Sequence, residues 1–289
     1  MNSRNRMITY EQALTEGRKV LQSAGIEEFA VDGFLLLTEL LGISRTQYYM
    51  KQKDRMQKEA YESYMSAVAR RSRHEPLQYI TGKVCFMGYD FFVNRNVLIP
   101  RMDTEILVIE AEKVIRNYFA KKEYIKVLDM CTGSGCILTA LALRNASVNG
   151  VGVDISEDAL LVAERNAQAL HCSSVMFLQS NLFEHVNGTF DMIVSNPPYI
   201  KTQVIKELME EVKSFEPYIA LNGQEDGLHF YREITKNAAR YLNAGGVLCY
   251  EIGCEQAKEV LLLMEENGFQ NCRVVKDLAG LDRVCIGNL

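Results

Sequence analysis

The tetrad Asn196-Pro197-Pro198-Tyr199 combines residue types suited to one narrow task. A primary amide or aromatic amine is a poor nucleophile, because its nitrogen lone pair is delocalised. Two acceptors that take both hydrogens of a flat NH2 group fix the nitrogen and make that lone pair more available to a methyl group. The Asn196 side chain supplies one carbonyl oxygen and the Pro197 backbone a second. Neither proline offers an N–H that competes, and both stiffen the turn. Tyr199 provides an aromatic face to cover a planar group. Such a site works by aligning nitrogen, methyl and sulfonium, so it needs no strong general base. Taken alone, the same four residues suit a rigid turn closing a strand equally well.

A second constellation lies upstream. Val127-Leu128-Asp129-Met130-Cys131-Thr132-Gly133-Ser134-Gly135 runs from a buried strand into a helix. Glycines there permit a tight turn and a close ligand, and the helix start offers free N–H groups. A dinucleotide fingerprint wants a third glycine where Leu138 stands, which counts against a pyrophosphate. Asp129 at the strand end suits a ligand carrying an ammonium and a sulfonium. Asp154 closes the next strand, near the ~20-residue interval at which a carboxylate takes ribose hydroxyls. Strand, loop, helix, strand and aspartate in this order favour a nucleoside cofactor over a capped tight turn. Downstream of such a loop, the tetrad reads as functional.

The elements that must position these residues follow from periodicity. Thr9 with Gln12 opens a helix whose stripe is Tyr10, Ala13, Leu14, Gly17, Leu21 and Ala24, ended by Gly25. Further helices are predicted over 30–41, before Gly42, and over 56–71. From Tyr79 to Pro100, β-forming residues are broken by Gly88 and by Asn94-Arg95-Asn96, a hairpin pattern with Asn suited to the turn. Beyond Asp103, helix and strand alternate, with strands at 125–130, 151–154, 175–179, 190–195, 246–252, 272–276 and 283–286. Helices are predicted at 104–120, 136–144, 157–170, 227–242 and 256–267. The expected fold is α/β. A Rossmann-like, doubly wound, mostly parallel sheet occupies 103–289, a small helical bundle 1–78, and a β-hairpin linker 79–102.

Composition bounds the rest. Net charge is −5, which disfavours a protein whose main business is wrapping polyanions. Residues 1–83 carry 13 Lys and Arg against 10 Asp and Glu, while the remainder carries 19 against 27. A basic N-terminal part beside an acidic body fits a docking module or a solvated helical surface. No apolar run is long enough for a membrane span, and the start, with Arg4 and Arg6, lacks the apolar core of a leader, so a cytoplasmic protein is expected. The eight cysteines form no Cys-x-x-Cys pair and the four histidines show no ligand spacing with them, so neither disulfides nor a metal site is expected.

Asp129, Thr132-Gly133-Ser134-Gly135, Asp154 and the tetrad together resemble a class I methyltransferase acting on amino nitrogen. Four further stretches narrow the resemblance: Glu75 to Gly82, Ile99 to Glu105, Glu216-Pro217 with Ala220-Leu221, and Asp277 to Arg283. With these the chain resembles the HemK/PrmC family of release factor glutamine methyltransferases over essentially its whole length. The resemblance implies an N-terminal helical domain that grips a peptide chain release factor. It implies a catalytic domain that methylates the glutamine side-chain amide of the factor's Gly-Gly-Gln motif. S-adenosylmethionine would be the donor and S-adenosylhomocysteine the product. By position, Cys131, Thr132, Gly133, Ser134 and Gly135 would line the methionine part and Asp154 the ribose. Asn181 and Leu182 would lie near the adenine, and Asn196, Pro197, Pro198 and Tyr199 would hold the glutamine. Cys131 departs from a frequent Gly, Asn181 from a frequent acid and Met102 from a frequent Pro. At Asn181 the expected consequence is weaker cofactor affinity.

Three other readings stand beside this one. The first is a DNA or RNA adenine-N6 or guanine-N2 methyltransferase, whose tetrad holds a flipped base; the chain lacks a basic, aromatic-interleaved recognition segment. The second is an NAD-linked oxidoreductase on a Rossmann sheet. The third is an adaptor that binds translation factors through residues 1–75 without catalysis.

Overall fold

A computed structural model of the chain describes residues 8–289, so Arg4 and Arg6 lie outside the described residues. The chain divides into two compact units. One comprises the residues up to Gly82 together with Glu210–Phe215, and the other Lys83–Met209 and Glu216–Leu289.

The first unit is helical. Helix Tyr10–Ser23 starts at the expected capping box, in which Thr9 and Gln12 each take the other's backbone N–H, at 3.1 and 3.2 Å. Helix Phe29–Leu41 ends at Gly42, whose φ of 60° suits a residue without Cβ. Helix Lys58–Arg71 completes the expected set. Arg45–Lys51 and Leu77–Thr81 are additional helices, too short to show an apolar period, although Ser44 and Gln47 form a second capping box at the first. Leu14, Leu21, Leu36, Leu37, Tyr64 and Val68 make the core. Truncating one such leucine to alanine costs about 2–5 kcal/mol. Arg71 is buried between Asp32 at 2.6 Å and Glu211 at 2.7 Å. A buried charge therefore fastens the segment Glu210–Phe215 into this unit.

The second unit opens with strands β1 (Lys83–Phe86) and β2 (Tyr89–Phe92), an antiparallel hairpin. Its turn is Met87-Gly88, with φ of 51° and 84°, and not the expected Asn94-Arg95-Asn96, which lies beyond β2. Gly88 supplies the left-handed conformation that a two-residue turn demands. The Asn166 side chain ties this hairpin down, accepting from Phe92 N at 2.7 Å and donating to Phe92 O at 3.0 Å.

The main sheet holds β3 (Ile125–Met130), β4 (Val148–Asp154), β5 (Val175–Gln179), β6 (Phe190–Ser195), β7 (Leu242–Glu251), β8 (Gln270–Lys276) and β9 (Asp282–Asn288). Their order is β5-β4-β3-β6-β7-β9-β8, parallel except for β9, which runs antiparallel to both neighbours. Every residue of β6 is buried and β3 is buried except at Lys126, as expected of parallel strands covered on both faces. The helix expected over 227–242 is shorter, His229–Ala238, because Gly227 takes φ of 77° and β7 already begins at Leu242. Chain order reverses between β3 and β6, so the crevice for a ligand opens at their carboxyl ends. Met130 pairs with Ser195 across that junction, and the Ser195 hydroxyl donates to Met130 O at 2.6 Å. Cys131 and Asn196 therefore leave adjacent strands at the same level.

Candidate active site

A cavity of about 360 Å³ occupies this switch point, within the size range of small-molecule sites. Its wall includes Cys131, Thr132, Gly133, Ser134, Asp154, Asn181, Leu182, Asn196 and Pro198. Asp129, Gly135, Pro197 and Tyr199 lie outside that lining, each next to a residue that belongs to it or one position further on.

The loop after β3 is shaped by three residues in the left-handed region: Cys131 at φ 61°, Gly133 at 54° and Gly135 at 74°. Gly135 serves packing, since a Cβ there would stand 2.9 Å from Ala163 Cβ and 3.0 Å from the Phe177 ring. Gly133 faces open space, where an added Cβ would meet nothing within 4 Å. Its N–H donates to Asp154 Oδ2 at 2.9 Å, and Ser156 N donates to Asp154 Oδ1 at 3.0 Å. Burial raises the Asp154 carboxyl, and these amides oppose the rise. A carboxylate has about four acceptor positions. Two are used here, and the others remain for a ligand.

Asp129 is placed differently from its expected position. It is fully buried beneath the loop, where the Thr132 hydroxyl donates to Oδ2 at 2.6 Å. Its Oδ1 has no hydrogen bond among the described residues. Burial raises this carboxyl to about 7, against the pull of the Thr132 hydroxyl.

The tetrad depends on distant partners. Asn196 Nδ2 donates to Thr104 Oγ1 at 3.3 Å, and no described residue donates to its side-chain oxygen. The Tyr199 hydroxyl donates to Glu251 Oε1 at 3.4 Å, and Gln256 Nε2 donates to Tyr199 O at 3.1 Å. Gly223 and Gly227 press on the same backbone, where added Cβ atoms would stand 2.7 Å from Tyr199 Cα and 2.4 Å from Tyr199 O. Opposite, the Glu216 carboxylate takes Ile99 N at 3.3 Å and pairs with Arg101, fixing the segment that carries Pro100 and Arg101 on the cavity wall.

Thr104, Glu251, Gln256, His229 and Phe230 were not singled out as site residues by sequence reasoning; Thr104, His229 and Phe230 line the cavity. Glu251 carried a usable signal. It is a carboxylate ending an apolar strand, as Asp154 is, and Asp129 stands one residue before the end of its own.

Residues 12–82 match the PrmC N-terminal domain and residues 110–214 the methyltransferase small domain. A release factor glutamine methyltransferase of Geobacter sulfurreducens is 40% identical over 290 residues, covering 100% of both chains. The chain belongs to the release factor glutamine methyltransferase family. A second member, from Clostridium acetobutylicum, is 38% identical across 96% of this chain and 97% of its own. A methyltransferase structure from Pyrococcus furiosus, 17% identical, covers 70% of this chain and 89% of its own with a TM-score of 0.50, a likeness of fold.

The departures from the family pattern now have settings. Cys131 holds a left-handed φ, which is the reason a glycine suits that position. Asn181 lines the cavity. Met102 is 82% exposed and touches no such requirement. The described residues contain no metal-binding cluster, all eight cysteines are free, and no described helix is long and apolar enough to cross a membrane.

Proposed function

We propose that this protein methylates the side-chain amide nitrogen (N5) of the glutamine in the Gly-Gly-Gln motif of peptide chain release factors. The observation carrying this reading is the Asn196 amide. Its NH2 is engaged by Thr104, and its oxygen is left as an acceptor on a wall shared with Gly133 and Asp154. That cavity would hold S-adenosylmethionine, which would supply a sulfonium-bound methyl; as the N–C bond formed the C–S bond would break, the amide would lose one proton and S-adenosylhomocysteine would remain. Asp154 has acceptor positions for ribose hydroxyls, the open Gly133 backbone suits the methionine part, and Asn181 and Leu182 suit the adenine. Asn196 Oδ1 and the Pro197 carbonyl take the two hydrogens of the glutamine NH2, and Pro198 and Tyr199 bound its plane. Proton loss goes to water, since an N-methylated amide sheds its extra proton without a strong base. Residues 1–78 are assigned to gripping the factor, in the cytoplasm and without direct nucleic acid contact.

The test is mass spectrometry after incubation with donor and release factor. A single methyl on the Gly-Gly-Gln glutamine is the expected result. Methylation of DNA or RNA amino groups with an unmodified factor would transfer the assignment to a nucleic acid enzyme.

A further inference from the structure

One buried carboxylate holds the Tyr199 end of the tetrad and stands beside Thr104, the residue that holds the Asn196 end. Glu251, 1% exposed, ends β7 beneath the cavity. Its Oε1 takes the Tyr199 hydroxyl at 3.4 Å, and its Oε2 has no hydrogen bond among the described residues. Thr104, 2% exposed, presents its hydroxyl to the same carboxylate and favours the charged form. Asn196 Nδ2 already occupies one lone pair of that hydroxyl. A threonine hydroxyl has a single proton to place, and Glu251 is the acceptor available to it.

Resting on the function proposed above, we propose that Glu251 is a positioning residue for methyl transfer: by accepting the Thr104 proton it fixes which end of the Asn196 amide faces the substrate. An ionised carboxylate only accepts, so the relay runs from Asn196 N–H to Thr104 to Glu251, and the Asn196 oxygen is turned to the glutamine NH2. A protonated Glu251 donates to Thr104 instead. The Thr104 proton then turns to Asn196 Oδ1, the amide rotates, and an NH2 group meets the substrate's NH2. Two donors face each other and the acceptor is lost.

The relay makes turnover depend on pH. Burial raises the Glu251 carboxyl to about 7, opposed by the Thr104 hydroxyl, Arg283 and Tyr199, with Asp103 adding to the rise. Tyr231, whose hydroxyl donates to Glu251 O, and Cys136 also face it. The folded state holds this proton above the ordinary value of 4.5. The group's stabilising contribution is thus complete below about 4.5 and lost as pH rises through about 7. A neutral glutamine does not suffer that loss, so Glu251→Gln should melt no lower than the parent at pH 8.

The experiment measures single-turnover methyl transfer to intact release factor at saturating donor, from pH 6 to 9. Donor affinity is measured by calorimetry and melting temperature on the same samples. The parent rate should fall below pH ~7 as one proton binds. Glu251→Gln should be slower on the order of 10²-fold and flat across that range, with donor affinity within about threefold. Thr104→Val should match it, Thr104→Ser should restore most of the rate, and the double variant should be no slower than either single one. A Glu251→Gln enzyme that keeps the parental rate overturns the inference. So does one that is slow but retains the acid limb, which would then belong to Asp129, or a Thr104→Ser as slow as Thr104→Val. A parent that methylates no glutamine overturns the proposed function instead.

Discussion

The two sides of the cavity are supported in opposite ways. The side assigned to the cofactor is built from its own backbone: Asp154 is held by the amides of Gly133 and Ser156, and Thr132 N donates to Val153 O at 2.9 Å. The tetrad leans on residues far along the chain, namely Thr104, Gly223, Gly227, Glu251 and Gln256. Backbone amides cannot be mutated away and hold their geometry as long as β3 and β4 pair. Side-chain supports can each be removed singly. Cofactor binding should therefore tolerate remote substitution, and substrate alignment should not.

Gly227→Ala breaks the remote side most severely. Its φ of 77° and the 2.4 Å approach to Tyr199 O leave no room for a methyl group. Displacing the tetrad by about 1 Å lowers methyl transfer on the order of 10²-fold, while donor binding, followed by calorimetry, stays near the parent value. Equal losses in both would erase the distinction between the two sides. Asp154→Ala strikes the local side. Loss of a charged acceptor worth about 1.5–3 kcal/mol weakens donor affinity by roughly 10- to 100-fold, with the rate at saturating donor little changed. A defect confined to the saturated rate would contradict that division. Asn181→Asp sharpens it with a gain: a charged acceptor near the adenine amine should tighten donor binding about threefold to tenfold, with the saturated rate unaltered. Unchanged affinity in this variant would remove Asn181 from the adenine position.

The same contrast decides what the sequence reveals. Strands 125–130 and 190–195 and helix 136–144 are legible to the residue, because buried parallel strands and a helix opened by glycine leave unbroken local patterns, and the edge strand 175–179 is found at its exact bounds although none of its residues is buried. The cofactor loop is legible for the same reason, its parts lying within one strand–helix–strand run. The place of Asp129 near a strand end suggests a ligand group; whether such a side chain points into the crevice or beneath the loop depends on the strand's pleat, and here it points beneath. Met87-Gly88 outcompetes Asn94-Arg95-Asn96 as the hairpin turn because only the former lets Phe86 pair with Tyr89. The helices Glu210–Phe215 and Tyr218–Leu221 have too few residues for a period to emerge. Glu251 and Thr104 escape because their meaning lies in a triad with Asn196, from which they are separated by 55 and 92 positions in the chain.

The acceptor role of Asn196 is tested most directly by its replacement with alanine, measuring methyl transfer to release factor and donor affinity on one preparation. The account predicts a rate lower by about 10²- to 10³-fold with donor affinity within about threefold of the parent. A variant that transfers methyl at nearly the parental rate, or one that loses donor binding in proportion to rate, would contradict it.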